Sequence, residues 1–355
     1  MSILARYVIR DVLLYTLLVV LVLTILSGLY LFITQQDDIG TGNYTLGSAF
    51  LWVGLNLPQY VFQLLPIAAL IGTLLGLGNL ARAGELTVMR AAGVSVLRLA
   101  GWVASAGLIL MMLASLLGEF VAPRMEQYAR QLKTFQKYRD VSLTGDRNAW
   151  AKDGDTILSL QQQSSATQYG GVLVIRLTPL KRLDTVGRAS TATLEPDGRL
   201  LLRNYVSSQI VEDEVRAHRE GTAQLSTRLS REFLGLAVVE PDAVPLTGLR
   251  TYIAHLQANG LEATRYEIAF WARIARTCAI VVVVMLAIPF SFGPMRSTGT
   301  GARMVVGILI GTAFFLVARM LESGGAVFDL QPFLIGWLPV WMLAAVTIVA
   351  LLRVR

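Results

Sequence analysis

The sequence predicts an α-helical membrane protein of six transmembrane helices with one inserted all-β domain, and three observations lead there. Six apolar stretches, Val12–Ile33, Leu57–Leu80, Leu99–Val121, Ala269–Phe292, Ala302–Leu321 and Pro332–Leu352, reach or approach the length of a bilayer span. A helix needs about 20 such residues to cross about 30 Å of hydrocarbon. The chain of 355 residues is 54% hydrophobic and only 15% charged, with a mean hydropathy of +0.57. Between the third and fourth stretches, residues 122–268 are mostly polar and break into strand-length pieces.

Arg6 and Arg10 precede the first apolar run. That run is too long for a signal-peptide core and no small-x-small cleavage site follows, so it reads as a retained first helix. Span two follows an interfacial stretch, Tyr44–Asn56, and contains Pro58 and Pro66; each removes a backbone donor and favours a kink. Gly72 with Gly76, and Gly307 with Gly311 in span five, form small-xxx-small pairs. Such pairs let helix backbones approach closely in lipid, either within this chain or against a second subunit.

The insert reads as β. Asn148–Gln162 holds a strand, an Asp153-Gly154 turn and then Thr156–Leu160; Val172–Leu177 is a short β-branched run. Ser190–Glu195 and Arg199–Ile210 flank the turn signal Pro196-Asp197-Gly198. Strand-length pieces at short spacing without cysteines predict a sandwich or jelly roll. After Pro245 the pattern changes: Leu249–Asn259 fits an amphipathic helix ended by Gly260, and Thr264 caps the helix that runs into span four. The resulting division is 1–135 for the first three spans, 136–245 for the β domain, and 246–355 for a connector helix and the last three spans.

Short loops set the orientation. Arg6, Arg10, Arg82, Arg90, Arg98, Arg296, Arg303, Arg353 and Arg355 fall on one side, whereas Thr34–Asn56 and Glu322–Gln331 contain no Lys or Arg. The positive-inside rule places both termini in the cytoplasm and the large insert outside.

Several chemistries are missing. The lysines, Lys133, Lys137, Lys152 and Lys181, follow no glycine-rich loop, so the sequence offers no P-loop for ATP. His218 and His255 have no HExxH or cysteine partner, and Cys278 is the single cysteine, within span four; neither a zinc site nor a disulfide is expected. No G-x-S-x-G elbow occurs, and no Asp or Glu lies deep within a span. No catalytic residue, metal or cofactor is expected. The net charge of +7 does not indicate nucleic acid, because the arginines sit at span ends and no basic run of five or more occurs.

Basic residues do gather where orientation predicts few. Arg130 and Lys133 continue span three outward, with Arg124 about one turn earlier; Arg273 and Arg276 lie near the outer end of span four; Arg319 lies near that of span five, with Glu322 three residues on. Each can snorkel to lipid phosphates. Several on three helices at one level favour a site for an anionic head group, since guanidinium binds phosphate in a bidentate way. The second feature is the loop 82–98, helix-compatible from Glu85 to Ala92, with Leu86 and Met89 on one face and Glu85 and Arg90 elsewhere. It is either a surface-lying connector or a short helix presenting a mixed surface to a soluble cytoplasmic partner.

Four segments resemble the lipopolysaccharide export permeases, the YjgP/YjgQ-type family. Gly84–Gly93, GELTVMRAAG, resembles the family's E-L-x-V-M-x-A-x-G loop. Leu116–Pro123, LLGEFVAP, resembles the end of its third span, Ala149–Gly154, AWAKDG, the opening strand of its periplasmic domain, and Phe292–Ser297, FGPMRS, its turn after span four. The tryptophan strand and the FGP turn point to the G-subunit branch rather than the F-subunit branch.

The resemblance implies a bacterial inner-membrane ABC exporter in which this chain is the non-catalytic permease. It implies pairing with an F-subunit permease, and with two copies of a cytoplasmic ABC ATPase that binds the ATP. Lipopolysaccharide would be lifted from the outer leaflet, through a periplasmic jelly roll, to a bridge beginning with a C subunit. Glu85, Leu86, Met89 and Arg90 would couple to the ATPase. Arg130 and Lys133 would match the basic pair near the lipid phosphates. Leu31 stands where some relatives carry a lysine, which makes Arg319, Arg273 and Arg276 the candidates for the displaced contacts. Two further readings are a permease of another ABC system (lipoprotein release or mechanotransmission) and a membrane scaffold without transport. The first of these typically has four spans with the insert after span one.

Overall fold

The computed structural model describes residues 3–137, 149–153, 155–163, 168–178, 182–195, 199–211, 214–226, 244–292, 300–325 and 330–353. The elements are helices α1 (Ile3–Thr34), α2 (Leu46–Arg82), α3 (Glu85–Ala91), α4 (Val96–Leu116) and α5 (Ala122–Lys137), then strands β1 to β6, then α6 (Leu246–Ala258), α7 (Thr264–Phe292), α8 (Thr300–Gly325) and α9 (Pro332–Leu352). Among the described residues, six segments are long and apolar enough to cross a membrane: Ile3–Asp38, Leu46–Arg82, Val96–Lys133, Thr264–Phe292, Val305–Gly324 and Pro332–Leu352. The chain divides into two compact units. Met1–Arg139, Pro245–Thr247 and Thr264–Arg355 form the helical one; Asp140–Val244 and Gly248–Ala263 form the other.

The stretch expected to be interfacial before span two is helical. Thr45 accepts the Ser48 amide at 3.3 Å and caps α2, which runs unbroken through Pro58 and Pro66. The extra turns are possible because α2 is the central helix, packed against α1, α5, α7 and α8, so tertiary contact outweighs local propensity. Leu70, Leu74, Leu77 and Leu80 of α2 meet Val8 and Val12 of α1, Val103 and Ala106 of α4, and Val283 and Val284 of α7 in one apolar core. Both glycine pairs serve packing within the chain. A side chain at Gly72 would collide with the Thr16 backbone of α1, and one at Gly307 would sit 3.0 Å from Ile71 of α2.

At the end of α4 the helix widens into a π turn, Leu117–Val121, before continuing as α5. Such turns shift the backbone register by one residue and persist where the shift is used. Here the buried Gly118 faces Phe62 of α2 so closely that a Cβ would lie 2.6 Å from the ring.

In the second unit, β1 (Ala149–Asp153), β2 (Thr156–Gln163), β3 (Gln168–Leu177), β4 (Leu183–Leu194), β5 (Arg199–Val211) and β6 (Glu214–Ser226) form one antiparallel sheet in sequence order. The described strands make a meander and contain no crossover of the jelly-roll kind. The Asp153-Gly154 and Pro196-Asp197-Gly198 turn signals fall partly or wholly outside the described residues, though the Glu195 amide donates to the Arg199 carbonyl at 2.8 Å across the second. Strand β6 and the first half of β4 have no counterpart in the sequence reading. Leu158, Val172, Val174, Ala189, Leu200 and Leu202 supply the buried face. Along β3 and β4 the buried residues Tyr169 and Val172, and Ala189 and Ala192, are three apart. An odd spacing places side chains on opposite faces of a regular strand. The left-handed backbone at Gly171 (φ 59°) and Asn204 (φ 52°) marks where the pleat is interrupted. Helix α6 ends in a Gly260 turn (φ 63°), with the Leu261 amide donating to the Leu256 carbonyl at 2.9 Å.

Candidate functional site

Basic residues of the helical unit gather at the end that carries the α1–α2 connection, and carboxylates of the same chain meet them there. Lys133 of α5 pairs with Asp38 at 2.6 Å and donates to the Gln35 side chain at 2.7 Å, with Trp52 of α2 5.0 Å from its ammonium. The buried Tyr44 hydroxyl donates to the same Gln35 oxygen at 3.3 Å, and the Asn43 amide donates to the Gln136 carbonyl at 2.8 Å. Burial first, and the Asp38 charge second, raise the Tyr44 phenol above its usual range, so it stays a neutral donor. Arg130 pairs with Glu126 one turn earlier at 2.6 Å, and Arg124 is exposed.

A second group lies between α2, α7 and α8. Arg276 pairs with Glu322 at 2.7 Å, and Arg319 reaches the other oxygen of Glu322 at 3.5 Å. They border a small cleft whose remaining walls are Gln63, Pro66, Ile67, Phe314, Phe315 and Ala318. Two arginines on one carboxylate leave a formal charge of +1 beside an apolar wall, an arrangement suited to an amphipathic anion. Arg276 is mostly covered, whereas the Arg319 side chain is 56% exposed.

Arg273 departs from the sequence expectation. Only 6% of it is exposed; it donates to the Gly118 carbonyl at 2.9 Å and lies over the Phe62 ring at 5.2 Å. Its guanidinium ties α7 to the π turn and to α2, a structural position rather than a head-group contact. One turn of α7 separates it from Arg276, and that turn decides between core and cleft. Leu31 is also buried, at 3% exposure, so its place is in the packing of α1.

At the other end of the bundle α3 is bracketed by Gly84 (φ 76°) and Gly93 (φ 88°), whose left-handed backbones start and stop it. The Val94 amide closes its last turn on the Met89 carbonyl at 3.1 Å, and Ser95 caps α4 through the Arg98 amide at 3.2 Å. Leu86 and Met89 do not face outward as expected. They are 2% and 7% exposed and belong to the bundle's own core, because the apolar face of so short a helix is needed to hold it down. The outward face is Thr87, Val88, Arg90 and Ala91, with Arg90 also 5.6 Å from the Phe292 ring. Glu85 is half-buried and is hydrogen-bonded by the Tyr7 hydroxyl of α1. Among the described residues, no three His, Cys, Asp or Glu side chains group as metal ligands.

The model of the lipopolysaccharide export system permease LptF/LptG family matches residues 6–353. The chain belongs to this family. It is 30% identical over 344 residues to the LptG permease protein of Escherichia coli K12, covering 95% of this chain and 94% of that protein. The Haemophilus influenzae LptG protein is 29% identical over 326 residues, 92% of this chain and 91% of the relative. The E. coli K12 LptF protein is 24% identical over 347 residues, 94% and 90% of the two chains. The family match spans both units and both groups of paired charges.

Sequence reasoning noted Glu322 beside Arg319 but missed the other acids. Asp38, Glu126 and Glu322 each complete a basic residue, and Glu119 holds the start of α6 through the Leu246 amide at 2.8 Å, the Thr247 amide at 3.1 Å and the Thr247 hydroxyl at 2.8 Å. Glu126 could have been found in the same way as Glu322, from its spacing of four residues to Arg130 along one helix. The Asp38 and Glu119 contacts join distant positions and leave no such signal.

Proposed function

We propose that this chain is the G-type transmembrane permease of an inner-membrane lipopolysaccharide exporter, paired with an F-type permease and driven by two copies of a cytoplasmic ABC ATPase. Both termini and α3 face the cytoplasm; the sheet domain is periplasmic and delivers lipopolysaccharide to a bridge that begins with a C subunit. The observation behind this reading is the family match over residues 6–353, nearly the whole chain. The distribution of arginines at span ends gives the orientation.

Within it, the lipid phosphates bind at Arg130, Lys133 and Arg124 and at Arg276 and Arg319. Binding at Arg130, Lys133, Arg276 and Arg319 is an exchange, because Glu126, Asp38 and Glu322 pair with these side chains. A phosphate accepts the same hydrogen bonds with more charge. On the cytoplasmic side Glu85, Arg90 and the exposed Thr87 and Val88 meet the ATPase, while Leu86 and Met89 keep α3 fixed to the spans.

The test is reconstitution. Proteoliposomes with the chain, an F-type permease and the ATPase should hydrolyse ATP and release lipopolysaccharide to a soluble periplasmic acceptor. The double reversal Arg130→Glu with Lys133→Glu should reduce photocrosslinking to lipopolysaccharide at unchanged protein level. Full crosslinking and release in that variant refute the head-group assignment; absence of an ATPase-dependent release in the wild type refutes the function.

A further inference from the structure

Glu119 lies in the π turn of span three, and its carboxylate accepts three hydrogen bonds from residues 127 and 128 positions further on. One oxygen takes the Leu246 amide, the other the amide and hydroxyl of Thr247. These are the first two residues of α6, the helix through which the chain returns from the sheet domain to α7. A carboxylate there satisfies amides that have no partner inside the helix and opposes the positive end of its dipole. The adjacent Gly118 carbonyl receives Arg273 of α7. A single five-residue turn therefore grips both elements by which the chain re-enters the bundle.

Toward the N-terminus, the helix that carries this turn begins next to α3. Only Ala92–Ser95 separate α3 from α4, and α4, the π turn and α5 then form one continuous helical run to Lys137. We propose that Glu119 is a positioning residue that couples movement of α3 and α4 to α6, and so links ATP hydrolysis to lipopolysaccharide transfer. This rests on the export function proposed above.

The experiment compares wild type, Glu119→Ala and Glu119→Gln in the complete permease–ATPase complex in proteoliposomes. ATP hydrolysis, lipopolysaccharide released per ATP, and amide exchange of the segment containing Leu246 and Thr247 are measured together. Glu119→Ala should keep ATP hydrolysis within about twofold of wild type, lose release per ATP about tenfold, and exchange faster at the two amides. Glu119→Gln keeps one acceptor oxygen and the side-chain volume, and should fall between them. A cap that merely stabilises the fold lowers hydrolysis and release together, and that result in Glu119→Gln overturns the proposal. Faster exchange with unchanged release per ATP overturns it too, as does unchanged exchange in both variants. A wild-type complex that releases no lipopolysaccharide refutes the export reading instead; the latch is then judged by whether nucleotide trapping alters protection of Leu246 and Thr247, and no alteration overturns it.

Discussion

Replacing Arg273 should damage the fold of the helical unit without touching ligand binding. The side chain is 6% exposed, and the worth of its hydrogen bond and its ring contact can be approximated. Its hydrogen bond to the Gly118 carbonyl is charge-assisted, worth about 1.5–3 kcal/mol net. Its position over Phe62 adds about 0.5–2 kcal/mol. Arg273→Ala removes both and opens a cavity beside Gly118, so a loss of about 3 kcal/mol is expected. Arg273→Met fills most of the volume and avoids burying a charge, leaving mainly an unpaired carbonyl, and should cost about 1–2 kcal/mol. The assay is thermal unfolding of the purified complex, with lipopolysaccharide crosslinking normalised to folded protein. The expected order of stability is wild type, Met, Ala, with crosslinking per folded molecule unchanged. Wild-type melting combined with lost crosslinking in Arg273→Met would refute the assignment of Arg273 to the core and return it to the head-group site.

Asp38→Asn removes the carboxylate partner of Lys133, so photocrosslinking of lipopolysaccharide near Lys133 should rise; a fall would show that Asp38 orients the lysine rather than competing with the ligand. Gly72→Ala places a methyl group against the Thr16 backbone and should destabilise the α1–α2 pair by about 1–3 kcal/mol, read as a lower melting temperature. Glu85→Lys should weaken pull-down of the ATPase more than Glu85→Ala, and wild-type association in both would remove Glu85 from the coupling surface. The chain purified alone should hydrolyse no ATP above background, and turnover that survives rigorous removal of contaminating ATPase would refute the passive-permease reading.

The spans were legible because hydrocarbon leaves the sequence little choice: every backbone polar group must be paired within the segment, so apolar length alone locates a helix. Their ends were less so. Helix α2 begins at Leu46 rather than Leu57: Thr45 caps it there, and one side of its first turns, Ser48, Ala49, Val53 and Asn56, is buried while Leu46, Phe50 and Leu51 stay exposed. In the insert, the β-branched run of β3 announced itself, whereas β6, EVRAHREGTAQLS, alternates polar residues with mostly small ones of weak strand propensity, and β5 pairs with it from end to end. The short helix α3 was visible as a helix-compatible run from Glu85 to Ala92, but which face it buries was not. Leu86 and Met89 have the same spacing whether they meet a partner or their own bundle, and only the position of α1 and α4 decides.

The basic cluster shows the same limit and its physical cause. Unpaired cations near a membrane are costly, and the expense falls steeply once a carboxylate is near. A chain that must receive phosphates but spends part of its cycle without them therefore gains from acids that stand in for the ligand. Asp38 at 2.6 Å from Lys133 and Glu322 between Arg276 and Arg319 have that geometry, and each lies on a different helix or loop from at least one base it serves. Because the acids come from elsewhere in the chain, each exchange with a phosphate in the proposed function would release a contact between elements: α5 from the α1–α2 connection, α7 from α8. Ligand entry and helix movement would then be the same event, which is what a permease that lifts a lipid from the bilayer requires.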